Sequence, residues 1–417
     1  MSVTMKNTRL QRVGGLLLLV AVILTSIALS LQKPVNPIRI GVLHSLTGTM
    51  AASEQYEVAV IRAMVNATNR QGGVLGRPLE MILADGQSDP ETFAKEAETL
   101  LRDRSVSVIF GCWLSSSRQA VKPIIERYDS LLMYPVQYEG LEQSKHIIYA
   151  GSTPNQQLFP ALTWARQAFG TKLFLVGSDY TYPRSLSFII NVLGPRIGLE
   201  VVGEHYVELG NQEFDSLPRE IFASGADFVI NTLNGDSNTG FFHSMDKGYQ
   251  QHADRPLPAV ISLSLDEISA RALPNLQGHS YLSWSYFYSP QHWTNLEEPI
   301  VQDALANDLA GQPVSAPMLA SIINFMLWRN TVEHIGTDHP KTVNANIRVH
   351  GLRWPSGNIF VDSETGNLYQ PNFIARHSTQ TTLDIVQAFD LAIPPEPYPL
   401  GLSRTEWEHA KHEASID

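Results

Sequence analysis

The sequence predicts an α/β protein of two Rossmann-like lobes with a ligand cleft between them. Short apolar runs alternate with helix-period segments from Ile38 onward. The alternation begins afresh near residue 155, as though the same plan were used twice. A chain of 417 residues, 43% hydrophobic and 17% charged, is long enough and apolar enough for two globular units.

In the first series, residues 38–43 read as a strand and 51–69 as an amphipathic helix stopped by Gly72 and Gly73. Residues 79–84 are the next strand, and 90–104 a helix with Pro90 in its first turn. The apolar runs 106–110 and 131–133 predict buried parallel strands, with a helix over 118–128 between them. Residues 147–150 follow as a third such run. The second series reads as strands at 173–177, 200–207, 228–233 and 259–264, separated by helices at 185–193, 214–223 and 240–249. Beyond it the pattern changes. Residues 281–288 form an aromatic strand, while 299–309, 317–334 and 344–350 have helical spacing. Residues 359–361, 372–376 and 384–389 resemble antiparallel strands around the turn Glu364-Thr365-Gly366, and a proline-rich, then charged, tail closes the chain.

The first 32 residues are different in kind. Lys6, Arg9 and Arg12 precede an apolar run from Leu16, with small residues at Ala28 and Ser30, which fits a signal peptide or an N-terminal membrane anchor. The expected organisation is therefore 1–32 as leader, 37–155 plus 283–345 as N-terminal lobe, 156–282 plus 346–395 as C-terminal lobe, and 396–417 as tail.

Ligand chemistry in such sheets belongs to loops at the carboxyl ends of strands. Two of these stand out: Gly111-Cys112-Trp113-Leu114-Ser115-Ser116-Ser117-Arg118 and Tyr134-Pro135-Val136-Gln137-Tyr138-Glu139-Gly140. The serines either cap a helix or hold a small polar molecule. There is no Gly-x-x-x-x-Gly-Lys loop, Gly-x-Ser-x-Gly elbow or His-Glu-x-x-His helix, and no cofactor fingerprint. One cysteine, Cys112, excludes a disulfide within the chain and a cysteine metal cluster, and its place after a buried strand suits an inert thiol. His409 and His412 have metal-compatible spacing but lie in the charged tail, where a solvated face is the simpler reading, so no metal site is assigned. A net charge of −11 without a basic block argues against nucleic acid as a partner. Glu139 and Asp179 could serve as bases, yet no nucleophile stands beside them. Strand ends instead carry hydroxyls and aromatics: Ser45, Trp113, Ser115, Tyr134, Tyr138, Tyr180, Tyr182, Ser264 and Tyr286. This surface suits holding a ligand, not transforming it, so the expectation is a protein that is no enzyme.

Over roughly residues 38–400 the chain resembles the type I periplasmic solute-binding proteins of the branched-chain amino acid superfamily, in the branch that binds urea and short-chain amides for ABC transporters. The two segments above carry the likeness, with Pro154-Asn155-Gln156, Gly177-Ser178-Asp179-Tyr180-Thr181-Tyr182-Pro183-Arg184 and Asn231-Thr232-Leu233-Asn234-Gly235-Asp236-Ser237-Asn238. The resemblance implies the two-lobed type I fold and ligand contacts at Trp113, Ser115, Tyr134, Tyr180, Tyr182 and Ser264. Amide regulators of the branch carry tyrosine and threonine where this chain has Trp113 and Val136. Val136-Gln137 is the pattern of its urea-binding transporters, which favours urea. Asp266 joins the candidates as the carboxylate after the strand bearing Ser264, and Tyr286 as an aromatic of the strand read over 281–288; for Tyr134, Tyr138 and Tyr286, packing at the lobe interface is the competing reading.

These implications give a periplasmic or otherwise extracytoplasmic protein, no cofactor, and an inner-membrane ABC permease as partner. A sensor for a membrane histidine kinase or chemoreceptor would use the same fold. An amino-acid ligand would need Glu139, Asp179 or Asp266 to pair its ammonium. For a four-heavy-atom ligand the ligand-efficiency ceiling is about −6 kcal/mol, a Kd of tens of micromolar. So small a ligand requires closing lobes, with hinges expected near residues 155, 282 and 345.

Overall fold

The computed structural model describes residues 36–252, 256–287, 298–349, 351–354, 357–377, 383–399 and 401–413. The leader at 1–32 lies outside them. Among the described residues no helix is long and apolar enough to cross a membrane.

The first unit runs β1 (Ile38–His44), α1 (Ala51–Arg70), β2 (Leu79–Asp85), α2 (Pro90–Arg102), β3 (Ile109–Gly111), α3 (Ser115–Arg127), β4 (Leu132–Tyr134) and β5 (Ile147–Tyr149). Its five strands are all parallel, in the order β2-β1-β3-β4-β5. β3, β4 and β5 are only three residues long and buried throughout, which is why they read as unbroken apolar runs. Asp89 starts α2 by accepting from the Thr92 backbone N–H, with Pro90 in the first turn.

The second unit runs α4 (Pro154–Ala168), β6 (Lys172–Ser178), α5 (Thr181–Leu193), β7 (Glu200–Val207), α6 (Leu217–Ser224), β8 (Phe228–Thr232), α7 (Ser237–Gln251), β9 (Ala259–Ser262), α8 (Glu267–Ala270) and β10 (Ser280–Trp284). The chain then returns to the first sheet with α9 (Pro299–Asp303), α10 (Ala316–Ile335), α11 (Pro340–Ile347) and the hairpin β11 (Gly351–Trp354) and β12 (Gly357–Phe360). β13 (Gln370–His377), antiparallel to β10, and β14 (Leu383–Ile393), antiparallel to β13, extend the second sheet, giving the order β14-β13-β10-β9-β8-β6-β7, and α12 (Arg404–Glu413) follows. The fold is thus the two-lobed α/β architecture expected. α10 is apolar all round and forms the spine of the first lobe: Phe325 and Trp328 meet Phe110 of β3, Trp328 edge-on at 5.9 Å.

Four readings of the chain change. Leu352, Trp354, Ile359, Val361 and Leu368 share one buried cluster with α10 and α11, so the third crossing falls between Leu368 and Gln370 and not at 345. The turn Glu364-Thr365-Gly366 does not join the antiparallel strands. It is closed by a Val361–Leu368 bridge and by Asp362, which accepts from the Thr365 backbone N–H, and Asn367 bridges to Tyr149 at the edge of the first sheet. The tail is docked, not free: Trp407 of α12 is fully buried, donates to the Pro399 carbonyl at 2.9 Å and packs edge-on against Phe188 of α5. The aromatic strand ends at Trp284, and Tyr288 lies outside the described residues.

The three crossings are tied together by the start of α4. Gln156 Nε2 donates to the carbonyls of Leu368 and Ile393, each at 2.8 Å, and Gln157 Nε2 to those of Ser283 (2.7 Å) and Leu263 (3.1 Å). Ser152 and Ser285, on two of the crossings, share a hydroxyl hydrogen bond of 2.5 Å. Between the crossings lies a cavity of about 10 Å³, room for one water, lined by Gln137, Ser152, Ser285, Tyr286 and Gln370 among others.

Candidate functional site

Strand β3 leaves the first sheet through Gly111 and Cys112. A Cβ at Gly111 would lie 2.0 Å from the Leu43 carbonyl oxygen, so only glycine fits beside β1 there. Cys112 takes φ +64° and its N–H binds that same carbonyl, which turns the chain sharply into α3. Burial pushes its thiol well above the usual range, so it is inert packing. Trp113 comes next, and its carbonyl accepts the Tyr134 hydroxyl at 2.7 Å. The N-cap of α3 is Leu114, so no side chain caps the helix; Ser115 to Ser117 form its first turn instead.

Behind Ser115 stands a fully buried guanidinium. Arg118 donates from Nη2 to Glu139 Oε1 (2.8 Å), from Nε to Glu142 Oε1 (3.0 Å) and from Nη1 to Ser115 Oγ (3.1 Å). Ser115 Oγ in turn donates to Glu139 Oε2 at 2.5 Å, and Gln119 Nε2 reaches Glu139 Oε1 at 3.3 Å. Tyr134 and Tyr138 present ring faces to the guanidinium at 5.0 and 4.9 Å, and Tyr138 stacks on Tyr149. Burial alone would raise Glu142, but Arg118 holds it below the usual carboxylate range.

The second lobe answers from α5 and from the loop after β8. α3 and α5 approach each other across the cleft. Tyr180 is the uncapped N-cap of α5 and packs on the cores of both lobes; its hydroxyl accepts from Asn234 Nδ2 at 2.9 Å. Asn234 is fixed by its own backbone N–H on Ser178 Oγ, and its Oδ1 accepts from Trp113 Nε1 across the cleft at 3.4 Å, a long contact. Gln137 Nε2 crosses in the other direction to the Leu263 carbonyl (2.9 Å). Gly210 and Gly235 lie against Thr49 of the first lobe, where a Cβ on either would come within 2.8 Å of it. The lobes therefore meet. Among the buried polar atoms with no hydrogen-bond partner among the described residues are the Tyr182 hydroxyl and Gln137 Oε1 at this seam, with Ser117 Oγ and Ser185 Oγ on the flanking helices and the Tyr286 hydroxyl and Gln370 Oε1 at the hinge cavity. Burial raises the Tyr182 hydroxyl and the neighbouring Gln137 side chain opposes the rise, so the two groups face each other just outside hydrogen-bond geometry.

A model described as periplasmic binding protein domain matches residues 38–404. The chain belongs to that family. As a periplasmic binding protein it acts outside the cytoplasm and binds solutes without transforming them. Solved structures share the fold at low identity. A solute-binding protein of an ABC transporter from Rhodopseudomonas palustris HaA2, in complex with p-hydroxybenzoic acid, is 20% identical with a TM-score of 0.74, the match covering 88% of this chain and all of that one. An amino acid ABC transporter substrate-binding protein from Pseudomonas fluorescens Pf-5 is 16% identical, TM-score 0.72, covering 89% and 100%. A branched-chain amino acid transporter substrate-binding protein from Streptococcus pneumoniae, with isoleucine, is 14% identical, TM-score 0.70, covering 84% and 99%.

In this periplasmic binding protein Trp113, Ser115, Gln137, Tyr180 and Tyr182 converge on the seam. Tyr134 stands one layer behind, committed to the Trp113 carbonyl, and Val136 presses its carbonyl on Gly151, where a Cβ would lie 1.8 Å away. Ser264 donates to the Leu233 carbonyl and supports the Asn234 loop from below. Asp266 caps α8 through the Ser269 backbone N–H at 2.7 Å, and burial raises its carboxyl. Tyr286 lies in the first lobe's core at the hinge cavity. Asp179 is half exposed and paired with Arg184. Asn234 is the seam residue that reading the sequence by strand ends passes over, although it stands inside a motif that carried the resemblance.

Proposed function

We propose that the protein captures urea or a short-chain amide and delivers it to an ABC permease in the inner membrane, exported by a leader at residues 1–32. The observation that supports this is the pair of unpartnered groups from opposite lobes, the Tyr182 hydroxyl and Gln137 Oε1, at a seam whose walls already touch. A planar amide supplies what each needs: its carbonyl accepts from Tyr182 and its N–H donates to Gln137. A second N–H is available for Ser115 Oγ. Leaving one such group unpaired costs about 1–3 kcal/mol, so a ligand that matches all of them is strongly preferred. The remaining candidates Trp113 and Tyr180 wall the site, while Tyr134, Val136 and Ser264 set the positions of these groups. An amino-acid ligand fits less well, since Asp179 and Asp266 are engaged elsewhere and Glu139 is already paired with Arg118.

Calorimetric titration with urea, acetamide, isoleucine and 4-hydroxybenzoate tests the reading, at millimolar concentrations or below to keep urea from acting as denaturant. Saturable heat is expected for urea first and acetamide second. Binding of isoleucine or 4-hydroxybenzoate, with silence from both amides, would overturn the ligand class and leave the fold untouched.

A further inference from the structure

We propose that Glu139 sets the charge selectivity of the cleft: it is an internal carboxylate that occupies the place a ligand carboxylate would take and turns Ser115 into an acceptor for ligand N–H groups. The inference deepens the amide reading and rests on it for the location of the ligand. Four observations lead to it. Glu139 is 2% exposed, and both its oxygens only accept hydrogen bonds, from Arg118, Ser115 and Gln119, the arrangement of a carboxylate. The proton of Ser115 is spent on Glu139, and one of its lone pairs is taken by Arg118, so what remains on Oγ is a single acceptor position. The charge lies one residue behind the cleft, held through Ser115 and within electrostatic range of Tyr180 and Tyr182 of the opposite lobe. Finally, Glu139 accepts from Ser115 and Gln119 in the opening turns of α3, whose N-terminus has no side-chain cap, so the protein's own anion already lies in the field of that helix end.

The consequence is discrimination by repulsion. A carboxylate ligand arriving at Ser115 meets a like charge in a buried setting and a hydroxyl with no proton to give. Acetamide and acetate, nearly equal in size and shape, isolate this effect. The unmodified protein is expected to favour acetamide over acetate at pH 7.5 by on the order of 100-fold or more. Glu139→Gln leaves Arg118 balanced by Glu142 and should narrow that ratio at least about tenfold, chiefly by admitting acetate. Asp179→Asn, which removes a charge from the surface beside α5, should leave the ratio as it was. Thermal midpoints check that both variants fold; should Glu139→Gln fail to, Glu139→Asp, which keeps the charge but draws it back from Ser115, is expected to weaken acetamide and still refuse acetate. Acetate binding by the unmodified protein overturns the proposal, as does a Glu139→Gln variant with unchanged discrimination or an equal change in Asp179→Asn. If the unmodified protein ignores both urea and acetamide while Glu139→Gln gains acetate, the ligand assignment falls and the charge filter stands.

Discussion

Two glutamates of the first lobe are buried to the same degree and treated in opposite ways. Glu139 has a guanidinium, a hydroxyl and a side-chain amide on its two oxygens. Glu57 of α1 receives the Ser321 hydroxyl on one oxygen, and its Oε1 has no hydrogen-bond partner among the described residues. Its electrostatic neighbours are His44, Glu54 and Asp266, and Glu54 already takes His44 at 2.9 Å. Burial pushes Glu57 up to about 7, with Asp266 and Glu54 adding to the rise and His44 and Ser321 opposing it. A buried acid either finds a cation or takes up a proton; this lobe contains both solutions. The paired one serves the cleft, where a fixed charge is useful. The unpaired one lies between α1 and α10, where nothing requires charge.

The largest test of this contrast removes the cation. Arg118→Met strands Glu139 and Glu142 in the interior, and loss of one partner from a buried pair costs about 3–5 kcal/mol. Guanidinium unfolding at pH 7.5 should show that loss, and it should shrink as pH falls and the stranded acids protonate. A loss below about 1 kcal/mol would mean that water or a rearranged side chain reaches the carboxylates.

Glu57→Gln should act in the opposite sense. A carboxyl whose folded pKa is raised, here from 4.5 to about 7, contributes stability that is fully present below about 4.5 and lost as pH rises through about 7. The parent's unfolding free energy should therefore decline across that window. The glutamine variant lacks the decline, so it should gain on the parent between pH 5 and pH 8 by up to about 3 kcal/mol. Parallel stability–pH curves for the two proteins would refute the assignment.

Neither glutamate's fate was legible in the sequence. Glu57 sits at a helical position that a pattern cannot tell from a solvated face, and Ser321 is more than 260 residues away along the chain. Strands were legible because buried parallel strands are continuous apolar runs, as β4 and β5 are. Sheet membership was not: β11 and β12 have ordinary strand composition, and only the packing of Trp354 and Leu352 against α10's cluster places them with the first lobe. Two helices passed unread although their start signals were present. Thr153-Pro154-Asn155-Gln156 begins α4, and Ser403-Arg404-Thr405-Glu406 begins α12, each a capping box in the structure. In the site, aromatics and hydroxyls at strand ends pointed to the right loops, but which hydroxyls were already committed to protein partners is a tertiary fact.

Two tyrosines of α5 carry the same contrast into the cleft at smaller scale. The Tyr180 hydroxyl has a partner in Asn234, and the Tyr182 hydroxyl has none among the described residues. Tyr180→Phe should therefore cost stability, about 0.5–1.5 kcal/mol, since it breaks an existing hydrogen bond and frees the Asn234 loop. Tyr182→Phe removes an unsatisfied buried group, so the unfolding midpoint should hold or rise slightly, while affinity for urea or acetamide falls by roughly tenfold because the group that would receive the ligand carbonyl is gone. Ser115→Ala cannot make this separation, because Ser115 is also a partner of Arg118 and Glu139. Unchanged affinity in Tyr182→Phe would move the ligand away from this hydroxyl. A stability loss equal to that of Tyr180→Phe would show instead that Tyr182 is held by a hydrogen bond of its own.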